Sequence, residues 1–407
     1  MKFKYRKDAL YIVAVSGGPD SMALLNMLYL DGYKNLVVCH VNYHRRKESN
    51  FEQQEVTNWA NNRKLKIEVL DTSSLVVKGN FQAWARKVRY SFFKDMYKKY
   101  NASGLFVAHN QDDSFETYII QKNKGGFYSH FGLLTESEMN GMKVLRPLLN
   151  VKKKDLLNYC IEKSVFYSID SSNLEDHYSR NKIRHSIVEK MDDSQRMTLQ
   201  KEIEEKNLHL NKIRLKVNEL DRNGISIDDF LKIEDKKTFM YVYLLGKSEV
   251  FSKNITHFYI KECIKIIESD KPNARIKFVN DLYLVKSYGR FMVIKKPSNN
   301  YLYVIDEPSV IDNNFVSCDL TGDLSFIKVS RDSFPLSIRP AKKDEYVSFG
   351  NVKKKVNRVF IDYKIPMWQR NSYPVIVDKD DKVVFLPIYT SITQKNMANK
   401  IGFMIKW

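Results

Sequence analysis

Several features that define other protein classes are missing from this chain of 407 residues. Its four cysteines are far apart and form no CxxC pair, which argues against a zinc ribbon, an iron–sulfur cluster and a thioredoxin-like site. Reduced thiols in the cytoplasm are the expected state of such cysteines. No apolar run approaches the roughly 20 residues that cross a bilayer, and the first residues lead into a strand rather than a cleavage site. We therefore expect neither a membrane span nor a signal peptide.

Two common nucleotide-binding motifs are also absent. No GxxxxGK[ST] and no GxGxxG follows a predicted strand, which argues against a Walker-type ATPase and a dinucleotide oxidoreductase. Internal repeats and low-complexity tracts are missing as well. At this length the chain is expected to form two or three globular domains.

Positive charge is in strong excess. The formal net charge is +19, and the isoelectric point is about 9.4. Such a charge favours a polyanionic partner such as a nucleic acid. The abundance of Lys, Asn and Ile can equally follow from the base composition of a genome, so charge alone leaves the partner open.

The most informative segment lies between an apolar run at 10–15 and a helical pattern at 22–28. Its residues are Ser16, Gly17, Gly18, Pro19, Asp20 and Ser21. A strand, a glycine turn, a serine cap and a helix in this order direct backbone N–H groups at an anion such as phosphate. Gly17 and Gly18 allow a tight turn, and Asp20 adds a carboxylate that suits Mg²⁺. An ordinary strand-to-helix turn capped by serine would show the same pattern.

Strand-length apolar runs alternate with helical patterns in the first part of the chain. We predict strands at 10–15, 36–41, 66–70 and 105–109, and helices at 51–63 and 81–100 with Asn50 and Asn80 as caps. The alternation predicts an α/β fold with a doubly wound parallel sheet, whose ligands bind at the carboxyl ends of the strands. A mostly helical region follows, and short alternating runs from about residue 301 predict a β-rich C-terminal domain.

A second group of polar residues follows the fourth predicted strand. His109 lies at its end, and Asp112, Asp113 and Glu116 begin the next helix within about one turn of each other. Such a group suits Mg²⁺, a general base or a substrate that carries an ammonium group. Capping of the helix by the aspartates is compatible with each of these roles.

These motifs together carry a resemblance to a known family. The glycine segment resembles the PP-loop of ATP pyrophosphatases, which cleave ATP between the α and β phosphates and transfer AMP. Over most of its length the chain resembles tRNA(Ile)-lysidine synthetases, and the segment from 336 to 370 resembles their C-terminal tRNA-contacting module. The motifs that match are SGGPDS (16–21), ARKVRY (85–90), HNQDDSFET (109–117), RPLL (146–149), DSSN (170–173) and YSRNKIRH (178–185).

The resemblance implies a reaction on the wobble cytidine of an isoleucine tRNA with a CAU anticodon. The cytosine C2 oxygen attacks the α-phosphate of ATP, and pyrophosphate leaves. The ε-amine of free lysine then attacks C2 and displaces AMP, which gives lysidine. We expect a PP-loop ATP-binding catalytic domain at 1–190, a helical linker and middle domain at 191–300, and a tRNA-binding domain at 301–407. The oligomeric state stays open, with a homodimer as one expectation.

The expected roles on the ATP side follow from charge. The backbone amides and side chains of residues 16–21 would hold the pyrophosphate, and Asp20 and Asp112 would hold Mg²⁺. Arg89 would neutralise phosphate charge during adenylation. A solvent-exposed helix arginine is the alternative for Arg89.

On the acceptor side, Asp113 and Glu116 would bind the ammonium groups of lysine or take the proton that the attacking amine must lose. His109 would orient the cytidine or a phosphate, and a purely structural histidine is the alternative. The expected tRNA contacts, for which a solvated basic surface is the alternative, are Arg180, Arg184, Arg339, Lys353, Lys354, Lys355, Arg358 and Arg370.

The chain departs from the family at two places. The segment QKNKGGF (121–127) stands where the family usually has an Arg-Gly pair followed by a glycine-rich segment, and Gln82-Ala83-Trp84 stands where a glutamate often precedes the Ala-Arg pair. Two rival functions stay open. A tRNA thiolation enzyme would deliver sulfur, with Cys39 as the cysteine to check, and a non-catalytic tRNA-binding protein would keep only the fold.

Overall fold

A computed structural model describes residues 1–45, 48–168, 179–248, 255–295, 300–307, 311–312, 316–319, 326–327, 331–349, 352–387 and 401–405. The chain divides into two compact units, Met1–Asn211 and Lys212–Trp407. Among the described residues, none of the helices is both long and apolar enough to cross a membrane.

The first unit is built on one six-stranded sheet. Its strands are β1 (Tyr11–Ala14), β2 (Leu36–Asn42), β3 (Lys66–Asp71), β4 (Gly104–Phe106), β5 (Glu136–Met139) and β6 (Met142–Leu145). They lie in the order β3-β2-β1-β4-β6-β5. All neighbouring pairs are parallel except β5 and β6, which are antiparallel.

The helices of this unit are α1 (Pro19–Leu30), α2 (Ser49–Asn61), α3 (Phe81–Lys99), α4 (Gln111–Lys124), α5 (Lys153–Glu162) and α6 (Ser179–Ser186). Helix α7 (Asp193–Leu220) follows and contains the boundary between the two units.

Both faces of the parallel sheet are buried. Val13 and Val38 pack with the helices α1, α2 and α5 on one face, whereas Ile12 and Val37 pack with α3 on the other. Successive side chains of a strand point to opposite faces, so a continuous apolar run can fill two cores at once. This confirms the predicted doubly wound α/β fold.

The predicted helix starts were right at one place and wrong at two. Asn80 caps α3, and its side chain accepts hydrogen bonds from the N–H groups of Gln82 and Ala83. Asn50 does not cap α2, because that helix begins at Ser49 with Glu48 as its N-cap. Helix α1 is capped by Gly18 rather than by a serine side chain, and Pro19 stands at the start of the helix, where a missing N–H is tolerated.

The second unit begins with helices and continues into sheets. Its helices are α8 (Ile227–Leu231), α9 (Lys236–Lys247), α10 (His257–Glu268), α11 (Val356–Asp362) and α12 (Met367–Arg370). Strands β7 (Ile225–Ser226), β8 (Asn273–Lys277), β9 (Leu282–Ser287) and β10 (Arg290–Lys295) form a sheet in the order β7-β10-β9-β8.

The β-rich C-terminal part contains two further sheets. A six-stranded sheet, in the order β11-β15-β18-β19-β16-β17, is formed by β11 (Tyr303–Ile305), β15 (Leu336–Pro340), β16 (Tyr346–Phe349), β17 (Val352–Lys355), β18 (Pro374–Val377) and β19 (Val383–Phe385). A four-stranded sheet is formed by β12 (Ile311–Asp312), β13 (Val316–Asp319), β14 (Phe326–Ile327) and β20 (Ile401–Ile405). The helical middle and the β-rich end agree with the predicted fold class. The division into three domains stays a prediction.

Candidate active site at the carboxyl edge of the parallel sheet

The glycine segment forms a tight turn between β1 and α1. Gly17 has a φ of +88°, which a residue with a Cβ rarely adopts. The Ser21 hydroxyl accepts a hydrogen bond from the Ser16 N–H at 3.1 Å and donates one to the Gly18 carbonyl at 3.0 Å. Ser21 therefore holds the turn closed, and the first amides of α1 face outward at the positive end of the helix dipole.

Asp20 lies in the first turn of α1 with one oxygen paired and one not. Its Oδ2 accepts a hydrogen bond from the Asn110 side chain at 3.1 Å. Its Oδ1 is buried and has no hydrogen-bond partner among the described residues. Burial, with the nearby charge of Asp113 as the next cause, raises the pKa of Asp20 from 3.8 to about 6. A bound cation would therefore stabilise the charged form of this carboxylate.

Asn110 links the glycine turn to α4. Its side-chain oxygen accepts a hydrogen bond from the Asp113 N–H at 3.2 Å, and the Asp113 carboxylate accepts one from the Asn110 N–H at 3.0 Å. This capping box starts α4 at the carboxyl end of β4. The predicted capping thus belongs to Asn110 and Asp113 jointly, and the same asparagine joins Asp20 to this helix.

Asp113 and Glu116 face two arginines of α6. Arg180 donates from Nε to Glu116 Oε2 at 2.6 Å and from an Nη to Asp113 Oδ1 at 3.0 Å. Arg184 donates from Nε to Glu116 Oε1 at 2.5 Å and lies 3.6 Å from Asp113 Oδ1. The Glu116 side chain is fully buried. The structure thus places Arg180 and Arg184, which we expected to contact tRNA, against the carboxylates of the site.

Asp112 points to a different partner. Arg196 of α7 binds its two oxygens at 2.7 and 3.3 Å, and it also donates to the Val188 carbonyl at 2.9 Å. Both side chains are nearly buried. The Asp112 carboxylate is therefore neutralised by Arg196, and the structure leaves Asp20 as the acidic group with an unpartnered oxygen.

His109 is held by a buried arginine. Arg146 Nε donates to His109 Nδ1 at 3.1 Å, and an Nη of Arg146 donates to the Leu134 carbonyl and the Ser137 hydroxyl. An arginine has no acceptor, so the neutral imidazole must carry its proton on Nε2. Burial, followed by the charges of neighbouring arginines with Arg146 first, lowers the pKa of His109 to about 3. His109 is therefore a neutral donor at physiological pH.

Arg89 is half-buried on α3. Its charge and that of Arg86 contribute to the low pKa of His109, so both guanidinium groups act on the ring of that histidine. Neither arginine has a carboxylate partner within the part of the chain that the structure describes. This position suits the expected neutralisation of phosphate.

Mg²⁺ fits the acidic end of α1. It commonly binds one or two carboxylates and completes its octahedral shell with phosphate oxygens and water. Within the described ranges, no group of three or more His, Cys, Asp or Glu side chains is arranged to hold a metal ion. The unpartnered oxygen of Asp20 could supply one ligand to Mg²⁺, and the phosphates of the substrate would supply others.

The predicted tRNA contacts of the second unit differ in exposure. Arg339 is nearly buried and is paired with Glu345 and Asp381, so the structure does not place it on the exposed basic surface. Arg370 is bound to the Ile365 carbonyl and the Tyr288 hydroxyl. The exposed ones are Lys353, Lys354 and Lys355 on the edge strand β17 and Arg358 on α11.

Three side chains that contact the predicted site residues were not predicted from the sequence. Asn110 and Arg146 stand inside motifs that carry the resemblance, and Arg196 stands outside them. The Asn-x-x-Asp spacing of 110 and 113 was a usable signal for a capping box. Segment 170–173 and Tyr178 lie outside the described residues. Cys39, the candidate of the thiolation alternative, is fully buried in the sheet with its pKa raised by burial.

Comparisons with known proteins agree with this geometry. The family described as "PP-loop domain" matches residues 2–191, and the family described as "TilS substrate C-terminal domain" matches residues 336–407. The glycine turn, the parallel sheet and the first of these matches define a PP-loop enzyme that uses ATP.

Curated relatives narrow the class. The tRNA(Ile)-lysidine synthase of Mycoplasma mycoides subsp. mycoides SC is 33% identical over 403 residues, which cover 94% of this chain and 97% of the relative. The enzyme of the same name from Mesoplasma florum is 31% identical, with 94% and 98% covered. That of Ureaplasma parvum serovar 3 is 34% identical, with 74% and 94% covered. The chain belongs to the tRNA(Ile)-lysidine synthase family.

Proposed function

We propose that this chain attaches lysine to C2 of the wobble cytidine in an isoleucine tRNA with a CAU anticodon, through a cytidine adenylated by ATP. One observation carries the proposal for the site: the Asp20–Asn110 hydrogen bond joins the glycine turn to the acidic start of α4. Groups that suit ATP and groups that suit an amine thus lie at one edge of one sheet. Family membership names the acceptor and the nucleophile.

In the first step the cytosine C2 oxygen attacks the α-phosphate, and pyrophosphate leaves. The amides at the start of α1 bind the departing phosphates, because that end of a helix favours anions. Asp20 would hold Mg²⁺, which would supply neutralising charge to the phosphates. Arg89, whose charge acts on His109, adds a second positive charge that stabilises the charge developing on the phosphates.

In the second step the lysine amine attacks C2, and AMP leaves. An amine must lose a proton to act as a nucleophile, so a nearby base is required. Asp113 and Glu116 are the available carboxylates, and Arg180 and Arg184 currently neutralise them. The ammonium group of lysine therefore binds in exchange for at least one of these arginine contacts.

His109 serves as an uncharged hydrogen-bond donor. Its Nδ1 is taken by Arg146, so the Nε2–H is the group that can orient the cytosine or a phosphate oxygen. An imidazolium would be disfavoured beside so many guanidinium groups. We propose orientation rather than proton transfer for His109.

The exposed lysines of β17 are proposed to bind the tRNA backbone. The Lys353 and Lys355 side chains also lie 5.1 and 5.7 Å from the Tyr346 ring, so a stacking surface stands beside the charges. Replacing Lys353, Lys354 and Lys355 together with alanine should lower tRNA affinity and reduce the salt slope by up to about three phosphate contacts. Unchanged affinity and slope would remove this strand from the interface. Arg339 is left out because its donors are used internally.

The proposed reaction is tested with ATP, Mg²⁺, labelled lysine and the CAU-anticodon tRNA. Label is expected in the RNA at the wobble cytidine, and it should depend on ATP. A tRNA whose wobble position is uridine serves as the control. Label that fails to enter the tRNA, or sulfur entering in its place, would contradict the proposal.

Two further expectations belong with this function. A homodimer is proposed as the assembly, and light scattering of the purified chain measures it. Cytoplasmic location is proposed because the reaction needs tRNA, ATP and free lysine together. Fractionation of the cells that make the protein measures it.

A further inference from the structure

Three aromatic rings form a cluster beside the site, where β2 ends and α3 begins. Tyr43 follows β2, and Phe81 and Trp84 stand in the first turn of α3. The ring centroids are 5.9 Å apart for Tyr43 and Phe81, 6.3 Å for Tyr43 and Trp84, and 5.7 Å for Phe81 and Trp84. The Tyr43 hydroxyl donates to the Ala85 carbonyl at 2.9 Å, which fixes its ring against the helix.

The cluster is only half-buried. All three rings keep part of their surface in solvent, and Gln82 and Ala83 between them are exposed. Core aromatics in this unit behave differently, since Tyr33 and Phe106 are fully buried. Rigid rings that keep open surface are the usual platform for an unstacked base.

Positive charge lies against one ring of the cluster and further along α3. The Arg45 guanidinium lies 4.5 Å from the centre of the Phe81 ring. Arg45, Arg86 and Lys87 are exposed. Together with Arg89 they have no carboxylate partner among the described residues. Arg86 and Arg89 lie over the Tyr90 ring, with their guanidinium carbons 4.8 and 5.9 Å from its centre. Cations without a carboxylate partner near aromatic rings complement the phosphates and bases of a single-stranded RNA.

Arg89 connects the cluster to the reacting groups. Its charge contributes to the low pKa of His109 and also acts on Tyr43, whose pKa is raised by burial. One guanidinium therefore lies near the histidine of the site and near the aromatic cluster. The sheet agrees with this placement, because Tyr43 follows β2 and His109 follows β4, and β1 alone separates these two strands.

We propose that Tyr43, Phe81 and Trp84 form a stacking platform for one unstacked base of the tRNA anticodon loop, next to the cytidine that reacts. The proposal rests on the proposed function. The target cytosine must leave its stack to be adenylated, and its neighbours then lose a stacking partner. The platform replaces that partner, while Arg45 and the α3 cations hold the adjoining phosphates.

The test uses the full chain and a stem-loop RNA that carries the CAU anticodon. Trp84→Leu keeps an apolar side chain but removes the ring, and we expect its affinity for the stem-loop to fall roughly 5- to 100-fold. Trp84→Phe keeps a ring and should restore most of the affinity. Binding of ATP should be unchanged in both variants. Phe258→Ala, which removes an exposed ring of α10 in the second unit, is the matched control and should bind like the unaltered chain.

Fluorescence supplies a second readout that does not depend on the leucine variant folding. The stem-loop should quench the unaltered chain more than Trp84→Phe, because a stacked base quenches the indole it covers. Equal quenching, or a leucine variant that binds the stem-loop as tightly as the unaltered chain, would overturn the platform. Loss of ATP affinity without loss of stem-loop affinity would assign the rings to adenine and also overturn it.

The outcome is separable from that of the proposed function. If the unaltered chain fails to attach lysine but Trp84→Leu still loses stem-loop affinity, the reaction is wrong and the platform stands. If lysine is attached and the variants bind alike, the reaction stands and the platform is wrong.

Discussion

The carboxylates at the start of α1 and at the start of α4 lie at one edge of the sheet, but they differ in the cations that the protein places against them. Asp20 on α1 has a buried oxygen without a partner and a raised pKa. On α4, Asp112 is paired with Arg196, and Glu116 is paired with Arg180 and Arg184. Among the described residues no cation forms an ion pair with Asp20, although the charges of Lys153 and Arg184 act on it, whereas the start of α4 already holds its cations from the same chain.

This difference separates the two kinds of substrate charge. A cation that binds Asp20 Oδ1 has no hydrogen-bond partner of that oxygen to displace among the described residues. An ammonium group can reach Glu116 only if Arg180 or Arg184 moves, because a fully buried carboxylate has no free side. We infer that the ATP end of the site is ready in the free chain, whereas the amine end is held closed by internal ion pairs.

The largest effect is expected for Glu116→Gln. The change leaves two arginines with one carboxylate between them, and breaking buried pairs of this kind costs about 3–5 kcal/mol. Denaturant unfolding measures the loss of stability. Lysine incorporation should fall at least about 100-fold, while tRNA-dependent exchange between ATP and pyrophosphate should fall less.

Glu136→Gln is the matched control for that change. Its carboxylate pairs with Lys143 at 2.7 Å, but both side chains are about half-exposed. An exposed pair contributes at most about 1 kcal/mol. The structure indicates that the buried pairs of Glu116 hold α6 in place. Equal losses of stability in the two variants would contradict this.

The second effect has the opposite sign. Asp20→Asn should abolish most adenylation, by about 100-fold or more, yet make the free chain more stable. A pKa raised from 3.8 to about 6 corresponds to about 3 kcal/mol, the upper limit of the gain. The folded chain binds a proton between these two values that the unfolded chain does not bind. Stability of the unaltered chain therefore falls as pH rises through this window.

Asp31 at the other end of α1 provides the contrast. Hydrogen bonds from the Lys7 side chain and the Phe3 N–H lower the pKa of Asp31 below its ordinary value of 3.8. The charged carboxylate therefore stabilises the fold at pH values above 3.8, and this stabilisation is lost as pH falls through the lowered pKa. Asp31→Asn should therefore destabilise at neutral pH. Thermal unfolding at several pH values measures both variants, and a shift in the same direction would refute the comparison.

The same contrast marks the limit of prediction from sequence. Apolar runs located β1, β2 and β3 to within about a residue or two at each end, and the short motifs placed Asp20 and Glu116 at the edge where ligands bind. Partners were not predictable, because Asp112 meets Arg196 and His109 meets Arg146 only after the chain folds. Local periodicity indicates on which face of a helix or strand a side chain lies. It does not indicate which residue from a distant part of the chain lies opposite that side chain.

The smallest expected effect concerns His109 and sharpens the contrast with the acids. Arg146→Met removes the donor to Nδ1 and the largest single charge effect on the ring, so the pKa of His109 should rise from about 3 toward 6.5 while burial keeps it below that value. Chemical shifts of ring nitrogens report both the pKa and the tautomer, and His109→Gln assigns the signal. The Nδ1–H tautomer should gain population in Arg146→Met, since Nδ1 is then free to carry the proton.

Arg6→Met removes an exposed arginine paired with Asp8 and should change neither quantity. If the ring titrates alike in both variants, Arg146 does not set the state of His109, and the neutral-donor role loses its support.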